Sequence, residues 1–587
     1  MPGGSPQTLR PFLWRAETLY PDTEVVSRTH EGIVRHDYAE YAERTAQLAN
    51  ALEEAGYGDG ERLGTFCWNH SRHFETYFGV PGTGAQLHTI NPLLPDEHIQ
   101  YIVSDAQDQI IFVDESLLPK LEGAAADDPE SFESVEQFIV MSESVPDTDL
   151  DAVAYESFIA DQPTEYDWPE LEEDRPAGLC YTSGTTGRPK GVEYTQQMLW
   201  SHTMAIQSPQ GIPLDDDDVM MPVVPMFHVN AWGLPFSATA GGAKHVYPGP
   251  QPEPEDLAKL IEEEDVTVTA GVPTVWLGLM EYIKENDVDL SSLERLIVGG
   301  SAAPEAMIRF FDDRDVELVH AWGMTETAPV GAVASLRSDL EDADYQTQLD
   351  KRAKQGLISP GLEFRVIDDN GNEVPHNGED FGELHIRGPW VTTEYFKRPE
   401  ANEQEFEDGY LKTGDVVSVD EDGYIKIVDR AKDVIKSGGE WISSLELENE
   451  LIAHDDVNEA AVIGVPHERW QERPLAMIVP AADADEDALG EELREHILDS
   501  YPKWWVPDNF ITIDEVPKTA TGKFDKKSLR DEYADMEDEL HDAVAGEMDR
   551  RKKDVPLTDV REAMVAVASQ HPEEVADVLL EWGHDAK

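Results

Sequence analysis

Tyr181-Thr182-Ser183-Gly184-Thr185-Thr186-Gly187-Arg188-Pro189-Lys190-Gly191 is the stretch that decides how this chain is read. The apolar run AGLCY (177–181) before it reads as a buried strand that enters a loop of glycines, hydroxyls and two cations. Glycines let backbone N–H groups turn inward around phosphate oxygens, hydroxyls donate hydrogen bonds or ligate a metal, and Lys190 offsets charge. The spacing is not the GxxxxGK(S/T) of a Walker loop, and Pro189 followed by VEY (192–194) predicts a second strand rather than an immediate helix. A Gly/Thr-rich surface turn would explain the small residues but not Arg188 and Lys190 amid so many acids.

On either side of the loop the pattern alternates. Residues 38–56 carry apolar side chains near helical spacing and end on Gly56, while ERLGTFCWN (61–69) and QIIFVD (109–114) read as short buried strands. Further on, DVMMPVVPMF (218–227), GAKHVYPG (242–249), VTVTAGVP (266–273), LERLIVGGSAAP (293–304) and VELVHAWG (316–323) stop at Gly, Pro or a polar turn. Such alternation predicts an α/β architecture with parallel sheets. From about residue 361 the chain turns β-rich, with a DNG hairpin signal in LEFRVIDDNGNEV (362–374), then GELHIRGP (382–389) and GYIKIVDR (423–430). A third regime begins near Asp429. Ser443-Ser444-Leu445-Glu446 spells a helix cap, and two strands (460–466, 475–480), a helix (489–501) and a basic loop follow. Because 587 residues exceed one ordinary core, we expect a large domain (1–428), a hinge (429–433) and a small domain (434–531). Residues 532–587 read as an acidic, helix-prone tail without an interpretable motif.

Charge narrows the partners. The chain carries 45 Lys plus Arg against 121 Asp plus Glu, a net charge of −76, and the acids are spread along its length. Such a surface repels itself in dilute buffer, whereas at ~1 M salt the screening length falls to about 3 Å, so a salt-rich cytoplasm is expected. Nucleic acid is excluded as a partner class, since its affinity comes largely from Lys and Arg meeting phosphates. Cys67 and Cys180 form no CxxC pair and are expected in the core, not in a disulfide or a thiolate metal site. The first residues lack the apolar stretch of a signal peptide and no run of about 18 apolar residues occurs, so a soluble cytoplasmic protein with no integral membrane segment is expected.

Further motifs follow the glycine-rich loop in order: PMFHVNAW (225–232), AGVPTVW (270–276), GGSAAP (299–304), AWGMTET (321–327), GELHIRGP, GYLKTGD (409–415), DRAKDVIKSGGEWIS (429–443) and PKTATGK (517–523). Over roughly residues 38–529 the chain therefore resembles the AMP-forming acyl-CoA synthetase, luciferase and peptide-synthetase adenylation superfamily. PMFHVNAW, GGSAAP and SGGEWIS resemble its medium- and long-chain fatty acyl-CoA synthetase branch. The resemblance implies a large domain of two stacked α/β subdomains plus a distorted β-barrel, and a small mobile α+β C-terminal domain. It also implies a carboxylic acid, ATP and CoA as substrates, Mg2+ alongside ATP, and a homodimer.

The implied chemistry has two steps. A carboxylate is a poor electrophile, so it first attacks the α-phosphate of ATP, releasing pyrophosphate and leaving an acyl adenylate; the CoA thiol then takes the acyl group and AMP departs. Two anions meet in the first step, so catalysis rests on positioning and charge neutralisation. By resemblance, Thr182, Ser183, Gly184, Thr185, Thr186, Gly187 and Lys190 bind the ATP phosphates, and Thr185 and Glu326 hold Mg2+ through hard oxygen ligands, while Thr325 meets the α-phosphate. Gly300, His320, Ala321, Trp322 and Gly323 line the adenine, with Trp322 stacking where the family often has Tyr. Asp415 accepts the ribose hydroxyls with help from Arg430. Lys523 is the mobile lysine of adenylation. His228 borders the reacting carboxylate, and Val229 and Trp232 belong to the acyl pocket, Trp232 as its gate. Lys432 is the hinge residue, and Lys436, Gly438, Gly439 and Trp441 serve the adenylate and the CoA channel.

Other readings stay open at this level. A CoA ligase for a short or methylthio-substituted acid such as methylmercaptopropionate carries closely similar motifs. A non-CoA adenylating enzyme, or an acidic binding protein on a dead ligase fold, is a different class. A peptide-synthetase module would be followed by a carrier domain, and Ser569 lacks its surroundings; a dead fold would lack one of Lys190, Glu326, Asp415, Arg430 or Lys523, and all five are present. Gln196 stands where many family members have His.

Overall fold

The computed structural model describes residues 5–29, 32–182, 188–438, 440–454, 456–467, 469–481, 484, 486–518 and 524–534. The chain divides between Ala431 and Lys432 into two compact units.

In the large unit the glycine-rich loop joins a hairpin. Strand Pro176–Tyr181 pairs antiparallel with Gly191–Thr195, the strand that Pro189 and VEY predict. The pair forms one edge of a seven-stranded sheet whose remaining strands run outward in the order Gln86–Thr89, Arg62–Phe66, Ile110–Val113, Gln137–Val140 and Ala152–Ala154, all parallel to Pro176–Tyr181. Their residues are mostly buried, with Ile110–Val113 apolar throughout and Gln86, His88 and Thr89 as buried polar exceptions. Helix Tyr38–Ala55 starts where the Asp37 carboxylate accepts the N–H of Glu40 and stops at Gly56, as its spacing predicts. Cys67 and Cys180 are buried and free.

A second, nine-stranded sheet has a parallel centre of Glu317–Gly323, Arg295–Val298, Val268–Gly271, Val219–Pro222, Lys244–Tyr247 and Glu24–Thr29, with antiparallel strands at both edges. The β-rich segment forms a third, antiparallel sheet from Glu363–Ile367, Phe381–Arg387, Tyr410–Val419, Phe406–Glu407 and Ile425–Arg430. Two α/β layers followed by an antiparallel one is the α/β class that the alternation and the resemblance imply. Strands Pro176–Tyr181, Arg295–Val298 and Glu317–Gly323 each deliver a motif at their carboxyl ends, the usual place for ligands in open α/β sheets.

The small unit packs helices Ser444–Ile452 and Glu486–Ser500 on a sheet dominated by the long hairpin Val457–His467 and Gln471–Pro480, with Asn509–Thr512 parallel beside it. The Ser443 hydroxyl accepts the N–H of Glu446 at 3.0 Å, which is the predicted cap. Leu447, Leu451, Leu493 and Ile497 fill the core between helices and sheet. Among the described residues no helix is long and apolar enough to cross a membrane.

Candidate active site

The loop's two ends are closed by a backbone bond from Thr182 N–H to the Lys190 carbonyl (2.9 Å) and by the Lys190 N–H on the Thr182 hydroxyl (3.2 Å). Ser183, Gly184, Thr185, Thr186 and Gly187 lie outside the described residues. The Lys190 ammonium sits 4.2 Å from the centre of the Tyr395 ring and 3.2 Å from the Glu405 carboxylate. The same tyrosine turns its hydroxyl to Glu326 Oε1 at 2.7 Å. One aromatic side chain thus carries the loop cation on its face and the motif carboxylate on its edge.

Glu326 is 6% exposed and lies in the short helical turn Thr325–Thr327 that follows strand Glu317–Gly323. The Thr392 N–H donates to its carbonyl at 2.8 Å, and the Tyr194 hydroxyl donates to the carbonyl of Thr325 at 2.7 Å. Tyr194 belongs to the strand leaving the glycine-rich loop, so that bond ties the two α/β sheets at the site. Burial pushes the Glu326 carboxyl up from its ordinary range, while the Tyr395 hydroxyl, Lys190 and Arg430 favour the ionised form. The motifs point to Glu326 and Lys190 but not to Tyr194, Thr392, Tyr395 or Glu405. Each stands far in sequence from the residue it meets through the fold: Tyr194 from Thr325, Thr392 and Tyr395 from Glu326, and Glu405 from Lys190.

Of the residues expected to line the adenine, Ala321 and His320 are buried in strand Glu317–Gly323, and burial lowers the His320 imidazole to about 4. Gly300 turns the chain just past strand Arg295–Val298 with φ 84°. At Gly323 a Cβ would lie 2.0 Å from the Pro329 carbonyl oxygen, so only glycine fits. Trp322 is 7% exposed and packs in the core of the antiparallel sheet. Its indole N–H donates to Asp415 Oδ2 at 2.9 Å. Asp415, 1% exposed, also meets Arg430 Nε through Oδ1 at 2.9 Å, and the two residues are paired across neighbouring strands. The resemblance implies that the Trp322 ring stacks on the adenine; the fold gives it a hydrogen bond that the sequence does not reveal.

The PMFHVNAW motif (225–232) takes an unusual path. Val229, Asn230, Ala231 and Trp232 have φ of 47°, 55°, 47° and 58°, one turn in the left-handed region. Left-handed helix costs L-residues roughly 1–2 kcal/mol each, so the turn is held by its surroundings: Val229, Ala231 and Trp232 are all buried in the main core. A Cβ on Gly299 would come within 3.0 Å of the Trp232 ring, which places that ring against the GGSAAP loop. His228, half-buried, is the residue just before the turn.

In the small unit, Lys436 and Trp441 face each other across the hairpin Ile435–Ser437 and Glu440–Ile442, the ammonium 4.7 Å from the ring centre. Gly438, at φ 66°, donates its N–H to the Trp470 carbonyl at 2.7 Å. Lys432 is exposed; Gly439 and Lys523 lie outside the described residues. Lys518 pairs with Glu459 at 2.5 Å and Lys526 with Glu448 at 2.7 Å. Gln196 in the large unit is a structural tie: its side chain accepts the Leu9 N–H (3.0 Å) and donates to the Pro81 carbonyl (2.9 Å).

Residues 13–396 match the AMP-binding enzyme family and residues 446–523 match its C-terminal domain. The chain belongs to the AMP-binding enzyme family. Residues 523–584 match a further family, DUF7970, of unknown function. The long-chain-fatty-acid–CoA ligase of Thermus thermophilus is 45% identical over 525 residues, covering 89% of this chain and 95% of that protein. The 3-methylmercaptopropionyl-CoA ligase of Ruegeria lacuscaerulensis is 40% identical over 539 residues, 90% of this chain and 98% of that one. Among solved structures, the anthranilate CoA ligase AuaEII in complex with anthranoyl-AMP superposes with a TM-score of 0.78 at 23% identity, over 90% of this chain and 98% of that chain, and so shares the fold.

Proposed function

We propose that this protein converts a medium- or long-chain fatty acid, with ATP and CoA, into acyl-CoA, AMP and pyrophosphate through an acyl adenylate. The observation that carries the reading is the arrangement around Tyr395: a loop cation and a buried carboxylate held by one side chain, with Arg430 acting on the same carboxylate. Lys190 then neutralises the ATP phosphates, Thr325 meets the α-phosphate, and Asp415 with Arg430 accepts the ribose. His228 faces the acid's carboxylate, and Val229 and Trp232 border its chain. Mg2+ fits Glu326, a buried carboxylate oxygen donor whose raised pKa a bound cation would lower, with Thr185 as second ligand; when bound, the ion would supply charge neutralisation to the ATP phosphates. Lys523 serves only the first half-reaction. Lys432, at the start of the small unit, is the hinge residue, and Lys436, Gly438, Gly439 and Trp441 serve the second half-reaction.

Pyrophosphate release measured in molar KCl across an acid series, with 3-methylmercaptopropionate included, tests the substrate. Highest kcat/KM for acids of medium or long chain supports the proposal. Preference for the methylthio acid would move it to the second reading, which the 40% identity to the Ruegeria ligase favours. Lys523→Ala is expected to abolish acyl-adenylate formation while thioester formation from supplied acyl adenylate persists; equal loss of both steps would reject the one-step role. Trp232→Ala is expected to change chain-length preference more than the KM for ATP.

A salt-rich cytoplasm and a homodimer complete the proposal. The thermal midpoint should rise steeply with KCl, and light scattering should give twice the 65.5 kDa chain mass. A midpoint indifferent to salt, or the mass of one chain, would reject these in turn.

A further inference from the structure

Trp322 sits in a seat built for it. Strand Glu317–Gly323 pairs with Val330–Val333 so that Trp322 opposes Ala332 and Gly323 opposes Val330, which leaves Gly331 as an unpaired extra residue. Such a bulge bends a strand and re-aims the side chains beside it. Here the extra residue must also be glycine, because a Cβ on Gly331 would lie 2.4 Å from the Trp322 ring. The indole fills that gap and carries its N–H to Asp415 Oδ2 at 2.9 Å.

A carboxylate offers about four lone-pair sites on its two oxygens. Trp322 takes one on Oδ2 and Arg430 Nε takes one on Oδ1, each at 2.9 Å. Among the described residues nothing else meets these oxygens, so one site remains on each, the number a cis-diol requires. The two holders differ in durability. The Arg430 side chain is 40% exposed, so dissolved salt screens its attraction, whereas the indole is buried and its hold is not ionic.

We propose that Trp322 is a positioning residue for nucleotide selection: its indole N–H fixes the Asp415 carboxylate so that the free site on each oxygen meets one ribose hydroxyl of ATP. The proposal rests on the reading of Asp415 as the ribose anchor. It gives the aromatic residue of AWGMTET a task besides any contact with the base.

The test compares kcat/KM for ATP, 2′-deoxyATP and 3′-deoxyATP by pyrophosphate release, using the full chain in molar KCl at saturating fatty acid. The variants are Trp322→Phe, Trp322→3-benzothienylalanine (same shape, sulfur in place of N–H) and Asp415→Asn. Wild type should favour ATP over each deoxynucleotide by about 10-fold or more, the worth of a hydrogen bond to a charged group. Both Trp322 variants should narrow at least one of those ratios by about 3-fold or more, and Asp415→Asn should narrow both. A merely structural tryptophan would lower all three rates together and leave the ratios alone. If Asp415→Asn collapses the ratios while 3-benzothienylalanine at position 322 preserves them, the role of Trp322 is overturned and the ribose anchor stands. If Asp415→Asn itself leaves the ratios unchanged, the anchor reading falls, and the inference with it. The benzothienyl variant keeps the ring's volume, so the result does not depend on Trp322→Phe folding.

Discussion

Glu326 and Asp415 are both buried carboxylates, each held by one neutral aromatic donor and one cation, yet the two regions are wired differently. At Glu326 the Tyr395 hydroxyl holds one oxygen and the cation, Lys190, sits on the face of that ring. At Asp415 the Trp322 indole holds one oxygen and Arg430 grips the other directly. The first arrangement leaves Oε2 without a partner among these holders, which suits the cation proposed for Glu326. The second leaves a half-used oxygen on each side, which suits the two hydroxyls proposed for Asp415. The same inventory of tyrosine or tryptophan, lysine or arginine thus leaves different oxygens open according to where the cation sits, in keeping with the metal role proposed for Glu326 and the diol role proposed for Asp415.

The largest expected effect comes from removing the charge at each centre. Glu326→Gln should reduce kcat for pyrophosphate release by about 100-fold or more, because the proposed Mg2+ loses its anionic ligand where negative charge builds up on the phosphates. Asp415→Asn should chiefly raise the KM for ATP, by about 10-fold, because a hydrogen bond to a charged group is lost on binding. If both substitutions fell equally on kcat, the contrast between the two carboxylates would break. A smaller effect should follow Tyr395→Phe, which keeps the ring under Lys190 and removes only the hydroxyl. Stability by thermal melt should drop by about 1 kcal/mol, and kcat should fall by less than in Glu326→Gln.

The prediction with the smallest expected effect on rate at neutral pH concerns the strand beneath the indole. The Val330 N–H donates to His202 Nε2 at 3.0 Å, and burial keeps that imidazole neutral down to about 3. Between that value and the ordinary 6.5 the unfolded chain binds a proton that the folded chain refuses, so this stability is fully present above pH 6.5 and lost as pH falls. His202→Gln should make the stability-versus-pH slope in that window shallower by up to about 1.4 kcal/mol per pH unit. Chemical denaturation at several pH values would show it, and an unchanged slope would remove His202 from this role.

Much of this was legible in the sequence, for identifiable reasons. Apolar runs that stop at Gly or Pro marked the parallel strands because both faces of those strands are buried. Pro189 marked the turn into the second hairpin strand because it cannot continue a helix, and Ser443 marked its helix because a hydroxyl there satisfies a free N–H. Lys190, Glu326, Asp415 and Arg430 were found as motif residues. Tyr194, Tyr395 and the Trp322 bond were not, since each depends on a register or a sheet-to-sheet contact that no local pattern records. The bulge at Gly331 is invisible in a one-dimensional reading because GAV looks like any strand. Gln196 drew notice as a departure from the family, and its bonds to Leu9 and Pro81 show a packing role with both halves of its amide used.

The left-handed turn at residues 229–232 bears on how such an enzyme is re-engineered. Its backbone is set by the core around it, so a library built by inserting or deleting loop residues there should mostly yield misfolded protein. Exchanging side chains on the unchanged path is the more productive design route. Glycine at 230 or 231, which visits this region without strain, should raise the melting temperature and give a sturdier starting scaffold.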